Sequence, residues 1–396
     1  MIIGSGLVGA SLAIALDGLG LDVALVEATP AGEMPAVFDQ RNLSFSAATL
    51  NALGALGVMD ALQGPTGPIR RIHVSRQGDF GRVRLDARDY GRETFGEVAV
   101  ARDFGAALEK RLQSLNRLVR HRPARFVGFD GGAEGEVRSV RVLDDGGERI
   151  LRTRLLVAAD GSHSAVRDAL GIVSSHYAYR QTLMVARVRA AQAPDGTAYE
   201  RFTRDGPTAL LPRGDRHFGV VHAVPQAQAE AVAALDEAAW LERLQQAFGW
   251  RAGRFVHSGP RSAYPVFERV AERTVAPRAV LLGNAAQTLH PIGAQGFNLG
   301  LRDALTLAEL LRGAEDPGAP ALLQAYAGRR HEDRSRTLAF SNGLARLTAN
   351  DAPLVRPLRS LGLMAFGAFP ALQSMLVGGA MGFRGDVPAL CREEAR

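Results

Sequence analysis

Three stretches of this 396-residue chain combine residue types and spacings that suit the binding of an anionic cofactor. The first is Gly4-Ser5-Gly6-Leu7-Val8-Gly9, which follows Met1-Ile2-Ile3 and opens a run with Leu12, Ala13, Leu16 and Leu19 at helical spacing. A glycine turn opening onto a helix leaves first-turn N–H groups without acceptors and aims the positive end of the helix dipole at a ligand. The expected roles are a tight turn at Gly4, close approach of a pyrophosphate at Gly6 and close helix–strand packing at Gly9. Glu27 closes the next apolar run, Val23 to Val26, about 20 residues on, where the dinucleotide fingerprint places an acid to accept hydrogen bonds from a ribose. An acid there argues against a 2′-phosphate and favours NAD or FAD over NADP. The alternative is a glycine-rich helix start packed on a sheet.

The second stretch, Leu155 to Leu170, reads as a buried strand ending at Asp160-Gly161, with Ser162 to Ser164 able to cap the helix that follows. By itself it is an ordinary turn. The third, Leu281 to Asp303, breaks at Gly283-Asn284, passes through His290-Pro291 and turns at Gly293-Ala294-Gln295-Gly296 before an amphipathic helix from about Asn298. It offers backbone N–H groups to one more anion, whose identity these residues leave open. His290 and the adjoining Pro291 are the candidate catalytic positions, His290 as a group that assists deprotonation. A histidine satisfied by nearby backbone is the competing reading, and His73 on a hairpin is a weaker candidate. No HExxH, Ser-His-Asp or P-loop pattern occurs, which removes hydrolase and kinase readings.

The elements that must position these residues follow from hydrophobic period. Arg41 precedes a helical run through Leu50, Leu53 and Leu56, Ile69 to Leu85 alternates as a hairpin about Gly78-Asp79, and helical period resumes from Phe104 to Leu118 after Arg102. Tyr179 to Val224 is strand-like, and Gln226 to Phe248 reads as one helix. The net charge of +6 is carried almost wholly by arginines scattered among acids, with Lys110 the only lysine, which argues against a nucleic-acid surface. The single cysteine, Cys391, excludes an intrachain disulfide or cysteine-rich metal site and suits a reducing cytosol. The N-terminus lacks the basic region of a signal peptide, and the first strand is short enough to point to a start upstream of Met1. Leu361 to Phe383 has transmembrane length but is broken by Pro370, Gln373, Ser374 and several glycines; helices packed or lying at a surface, with a lipid-facing patch, are expected over a true span.

Together the three stretches resemble the motifs of the single-component flavoprotein aromatic hydroxylases, whose fold is that of p-hydroxybenzoate hydroxylase. Gly283 to Asp303 is most similar to the ubiquinone-biosynthesis hydroxylases, in particular the 2-octaprenyl-6-methoxyphenol hydroxylase type. Gly206 to Pro212, Tyr264-Pro265 and Ala380-Met381-Gly382 add to the likeness. The resemblance implies an α/β fold: a Rossmann-like FAD-binding domain (1–70, 98–175 and 262–345), an inserted β-rich substrate domain (71–97 and 176–261) and a C-terminal helical segment (346–396). It implies FAD held by Gly4, Gly6, Gly9, Glu27, Arg41, Arg102, Asp160, Gly161, Gly283 and Asn284, with Gln295, Gly296, Phe297 and Asn298 at the flavin ring, and no metal. It further implies transient NAD(P)H as reductant, oxygen addition at flavin C4a, and hydroxylation of a polyprenylated phenol. A cytoplasmic protein, peripheral at the inner membrane face and associated with other enzymes of ubiquinone biosynthesis, would follow. Two departures stand out: Asn284 replaces an acid common in relatives, and Gly293-Ala294 reverses the usual Ala-Gly order, which strains Ala294 if that position requires positive φ.

Three rival readings remain. A plain NAD-dependent dehydrogenase leaves the third stretch unexplained. A flavin-dependent halogenase lacks its tryptophan motif, since Trp240 and Trp250 are the only tryptophans. A non-catalytic FAD-holding subunit of a biosynthetic complex is compatible with every motif.

Overall fold

The structure, a computed structural model, describes residues 1–349, 360–362 and 369–392. Its first layer is a six-stranded sheet in the order Val275–Ala276, Ala279–Leu281, Leu156–Ala158, Ile2–Ile3, Val23–Val26 and Leu118–His121. All neighbours are parallel except the first pair. Strands this apolar must be covered on both faces, and alternate side chains go to opposite sides. Ile2, Leu25, Val157 and Val280 pack under helices Leu7–Ala15, Ala101–Gln113 and Gln295–Leu311. Ile3, Val26, Leu156, Ala158 and Leu281 instead meet Phe126, Val140 and Val142. The latter come from an antiparallel three-stranded sheet, Ala124–Glu134, Val137–Asp144 and Gly147–Thr153.

The second layer is a nine-stranded sheet built on the 17-residue strand Ser174–Ala190. Ser262–Ala271 and Phe218–Pro225 flank it, Phe255–Ser258 pairs with its far end, and the order continues through Pro207–Pro212, Thr197–Phe202, Arg71–Arg76 and Arg82–Asp86. Neighbours are antiparallel apart from Thr197–Phe202 beside Arg71–Arg76. Helix Glu237–Phe248 buries Trp240, Leu244 and Phe248 against one face of this sheet; the other face looks towards the glycine motifs. A small sheet of Asn42–Ser46, Gly96–Val100 and Gly67–Ile69 lies between the two layers in sequence.

Three local expectations are corrected. The single helix over 226–248 is two, Ala229–Ala233 and Glu237–Phe248, because Asp236 accepts the Ala239 N–H at 2.8 Å and starts a new helix. Arg41 leads first into strand Asn42–Ser46 and only then into helix Ala47–Ala55. The helix expected over 104–118 is Ala101–Gln113, and Leu118 belongs to a strand. The apolar run from Leu361 to Phe383 lies partly outside the described residues; its described part contains helix Pro370–Ala380. Among the described residues no helix is long and apolar enough to cross a membrane.

Candidate active site

The two layers enclose one cavity of about 910 Å³ that runs from the glycine turn to the large sheet. At one end Gly4 sits at φ +99°, and a Cβ there would lie 2.5 Å from the Ala159 carbonyl oxygen. A Cβ on Gly9 would come within 2.0 Å of the Gly4 oxygen, so helix and turn touch only because position 9 is glycine. Gly6 is different: a Cβ there would meet only Val37 at 3.8 Å, leaving its backbone open to the cavity. Glu27 faces the same end and accepts the N–H groups of Ser5 and Thr29, each at 2.8 Å. Each oxygen thus uses one acceptor site on backbone and retains another for a hydroxyl.

Asp160 lines the wall but is already engaged. Its carboxylate accepts the Ser164 hydroxyl at 2.6 Å and the Val166 N–H at 3.1 Å, and burial pushes its pKa up against those hydrogen bonds. It fixes the start of helix Ala165–Ala169, while Gly161, at φ +84°, turns the chain. Gly283, at φ +54°, lies behind the cavity, where a Cβ would be 2.8 Å from Val8; this contact brings the third stretch against the first helix. Asn284 is exposed and lines the cavity.

Gly293 and Ala294 both take positive φ, +74° and +51°, before helix Gln295–Leu311 begins. The left-handed conformation expected of the second position is therefore present, and an alanine carries it. Gly296 and Phe297 face the cavity; Gln295 and Asn298 do not. Gln295 donates to the carbonyls of Gly293 at 3.0 Å and Ala380 at 3.3 Å. The Asn298 amide accepts from Ser46 N–H and the Thr49 hydroxyl and donates to the carbonyls of Ser44 and Ala294. These two side chains brace the loop and leave its backbone to meet a ligand.

His290 is buried and lines the cavity beside the exposed Pro291. Its Nδ1 accepts the Ile292 N–H at 3.2 Å, its carbonyl accepts the Ser341 hydroxyl, and its ring meets Tyr179 edge-on at 4.6 Å. Burial holds its pKa down at about 4. The hydrogen bond assigns the remaining proton to Nε2, so the neutral imidazole accepts at Nδ1 and donates at Nε2. Arg41 lines the cavity, paired with Asp39 at 2.8 Å and stacked 4.3 Å over the Tyr264 ring, whose hydroxyl donates to the same Asp39. Burial opposes ionisation of Asp39, but the Arg41 and Tyr264 hydrogen bonds outweigh it and keep its carboxyl below the ordinary value. Arg102 is exposed on helix Ala101–Gln113 and outside the cavity lining.

The motifs did not indicate the floor of the cavity. Ile72, Leu183, Ala198, Glu200, Pro207, Ala209, Leu211 and Val221 of the large sheet form it. Beyond Gly206–Pro212, which supplies Pro207, Ala209 and Leu211, its sequence signal is a charge, Glu200, on the same side of its strand as Ala198 and Phe202.

The FAD binding domain family matches residues 1–341. This protein belongs to it. The chain is 33% identical to the ubiquinone hydroxylase UbiL of Rhodospirillum rubrum over 96% of this chain and 89% of that one. It is 30% identical to the 3-demethoxyubiquinol 3-hydroxylase of Escherichia coli K12 over 92% and 93%. In fold it is similar to the p-nitrophenol 4-monooxygenase PnpA of Pseudomonas putida DLL-E4, with a TM-score of 0.77 at 18% identity, covering 97% of this chain and 98% of that one. The flavoprotein's own geometry fits FAD on two counts. The Gly4–Gly9 turn leaves backbone open beside Glu27 where a dinucleotide pyrophosphate and ribose would lie. At the other end of the cavity the N-terminus of the 17-residue helix Gln295–Leu311 offers N–H groups to charge on a flavin ring.

Proposed function

We propose that this flavoprotein is an FAD-dependent, NAD(P)H-driven hydroxylase that adds one oxygen to the ring of a polyprenylated phenol in ubiquinone biosynthesis. The observation that carries the reading is the continuity of one cavity from the glycine turn, past the Gly293–Phe297 loop, to an apolar sheet floor. The names of the relatives at 30% and 33% identity support the same substrate class. Bound FAD supplies the hydride acceptance and oxygen activation that side chains cannot. The protein's part is to hold the ring against the flavin and exclude water.

In this reading Gly4, Gly6, Gly9 and Glu27 take the adenosine and pyrophosphate. Arg41 and Asn284 flank the ribityl chain, and Gly296 and Phe297 meet the ring. Gly283, Gln295 and Asn298 act from behind by fixing the backbone, and Asp160 and Gly161 fix the turn where they line the wall. Arg102 has a place only at the outer edge. The FAD part takes 1–70, 98–175 and 262–345 and the substrate part 71–97 and 176–261, joined by strands Ser174–Ala190 and Ser262–Ala271, which pair along their length. The exposed Leu361, Phe369, Met375 and Leu376 support a lipid-facing edge by which a prenyl tail enters at a membrane surface.

The deciding experiment is aerobic turnover of the FAD-loaded protein with NADH or NADPH and a short-chain prenylated methoxyphenol. A product heavier by one oxygen, with its position assigned on the ring, is expected. Reductant oxidation that the phenol does not stimulate, yielding only hydrogen peroxide, would overturn the proposal in favour of a non-catalytic FAD-holding role.

A further inference from the structure

Among the large-sheet residues that line the cavity, Glu200 alone is charged. Strand Thr197–Phe202 turns Ala198, Glu200 and Phe202 to one face, while Tyr199 and Arg201 face the other way, towards Phe248 and the Ala247 carbonyl. Glu200 is in register with Val74 on one side and Ala209 on the other. No hydrogen bond or ion pair to its carboxyl occurs among the described residues. What surface it retains is turned into the cavity that it lines. Phe202, two residues on and therefore about 7 Å along the strand, packs against Ile292 in the loop that precedes the flavin helix. The carboxyl thus stands one step back from the flavin end, on the floor where the ring of a substrate would lie.

We infer that Glu200 is the group that accepts the proton of the substrate's phenolic hydroxyl, an assignment that rests on the function proposed above. The O–H bond breaks, the proton passes to the Glu200 carboxylate, and the bonding pair stays on the phenolate oxygen. That charge enriches the ring carbons ortho and para to it, the positions that attack an electrophilic oxygen. No oxidant or reductant enters this step. Burial, unrelieved by any cation, raises the Glu200 pKa to about 7, closer to a phenol's value near 10 than an ordinary carboxyl comes. The surrounding charges leave the role to Glu200. On the adjoining strand Arg76 is in register with Phe202 and is already partnered. Across the cavity His290 is neutral, with Nδ1 occupied. Arg41 is held by Asp39, and Glu27, Asp160, His163 and Arg125 line the cavity with the glycine-turn residues.

The test compares FAD-loaded wild type, E200Q and E200D with the short-chain prenylated methoxyphenol. In wild type, kcat rises with pH to a plateau above about pH 7, because the base must be ionised. In E200Q this limb disappears and kcat falls ~100-fold, with KM within about threefold of wild type. E200D restores the limb at a shifted pH, and it carries the test if E200Q retains no flavin. A second readout needs no turnover: the Kd of the phenol for the oxidised protein, followed by the flavin difference spectrum, tightens up to about threefold as pH rises through about 7 in wild type, because an ionised carboxylate accepts the phenolic O–H more strongly than a neutral one, and does not change with pH in E200Q. Wild-type rate and pH profile in E200Q, or a Kd that keeps its wild-type pH dependence in E200Q, would overturn the assignment. Absence of hydroxylation by wild type, with the pH dependence of phenol binding still requiring Glu200, would instead refute the proposed function alone.

Discussion

Ala294 holds φ +51° and ψ +38°, a conformation that costs an L-residue roughly 1–2 kcal/mol. Ala294→Gly removes that cost while adding freedom to the unfolded chain, so a net gain of about 0.5–1 kcal/mol is expected, read as a raised urea midpoint. Gly9→Ala should act oppositely and on ligand binding. Its Cβ would sit 2.0 Å from the Gly4 oxygen, and the turn must open, so FAD retained through purification should fall at least tenfold, measured by flavin absorbance. Residues of this kind were readable from sequence, since a glycine constrained by backbone announces itself by type and spacing. Asn298, Gln295 and Asp160 were harder to interpret. Their motif positions are right beside the cavity, but their side chains satisfy backbone groups of Ser44, Ser46, Ala380 and Val166, which no local pattern reveals.

Helices Gln295–Leu311 and Pro320–Ala349 are joined by a buried charge cluster that sets the position of the flavin loop. Arg302 donates to Asp333 at 2.7 Å, Arg330 bridges Asp303 at 2.7 Å and Asp333 at 2.6 Å, and Asp303 also accepts from Gln287. Asp333→Asn leaves two buried guanidinium groups short of a counter-charge and should cost about 3–5 kcal/mol, measured by denaturant unfolding. Burial disfavours the Asp333 anion, yet Arg302 and Arg330 outweigh it and hold its pKa at about 2. Its folded value lies below the unfolded one, so its contribution is complete above about pH 4 and is lost as pH falls towards 2. Wild type should shed this increment over that window and the variant should not. At this scale the strands and helices around the three motifs follow from apolar period. Residues 124–153 lacked a motif to anchor them, and the break at Asp236 was hidden because an alanine-rich run continues the helical pattern through the cap.

Across the whole molecule, burial keeps three histidines neutral well into acid. His73 and His222, on strands of the large sheet, and His290 at the cavity each have a pKa lowered to about 4. Unfolded histidines take protons near pH 6.5, so folding stability is intact above that value and declines as pH falls through about 4. Glu200, raised to about 7, contributes with the opposite sign. His222 hydrogen-bonds to Thr208 at 2.8 Å and lies outside the cavity lining, so His222→Gln should remove about one proton from the slope of unfolding free energy against pH between about pH 4 and 6.5. The two-layer architecture was legible because the dinucleotide fingerprint at one end and a flavin loop at the other need a wall between them. The composition of that wall was not legible, because nine strands drawn from distant parts of the chain meet only in the fold. A floor whose single charged group is Glu200 has one more consequence. Its two carboxylate oxygens can accept two neighbouring hydroxyls, so a ring that has gained a second beside the first finds a partner for both. The chamber therefore grips what departs at least as firmly as what enters, and letting go of the product is the step it makes slow.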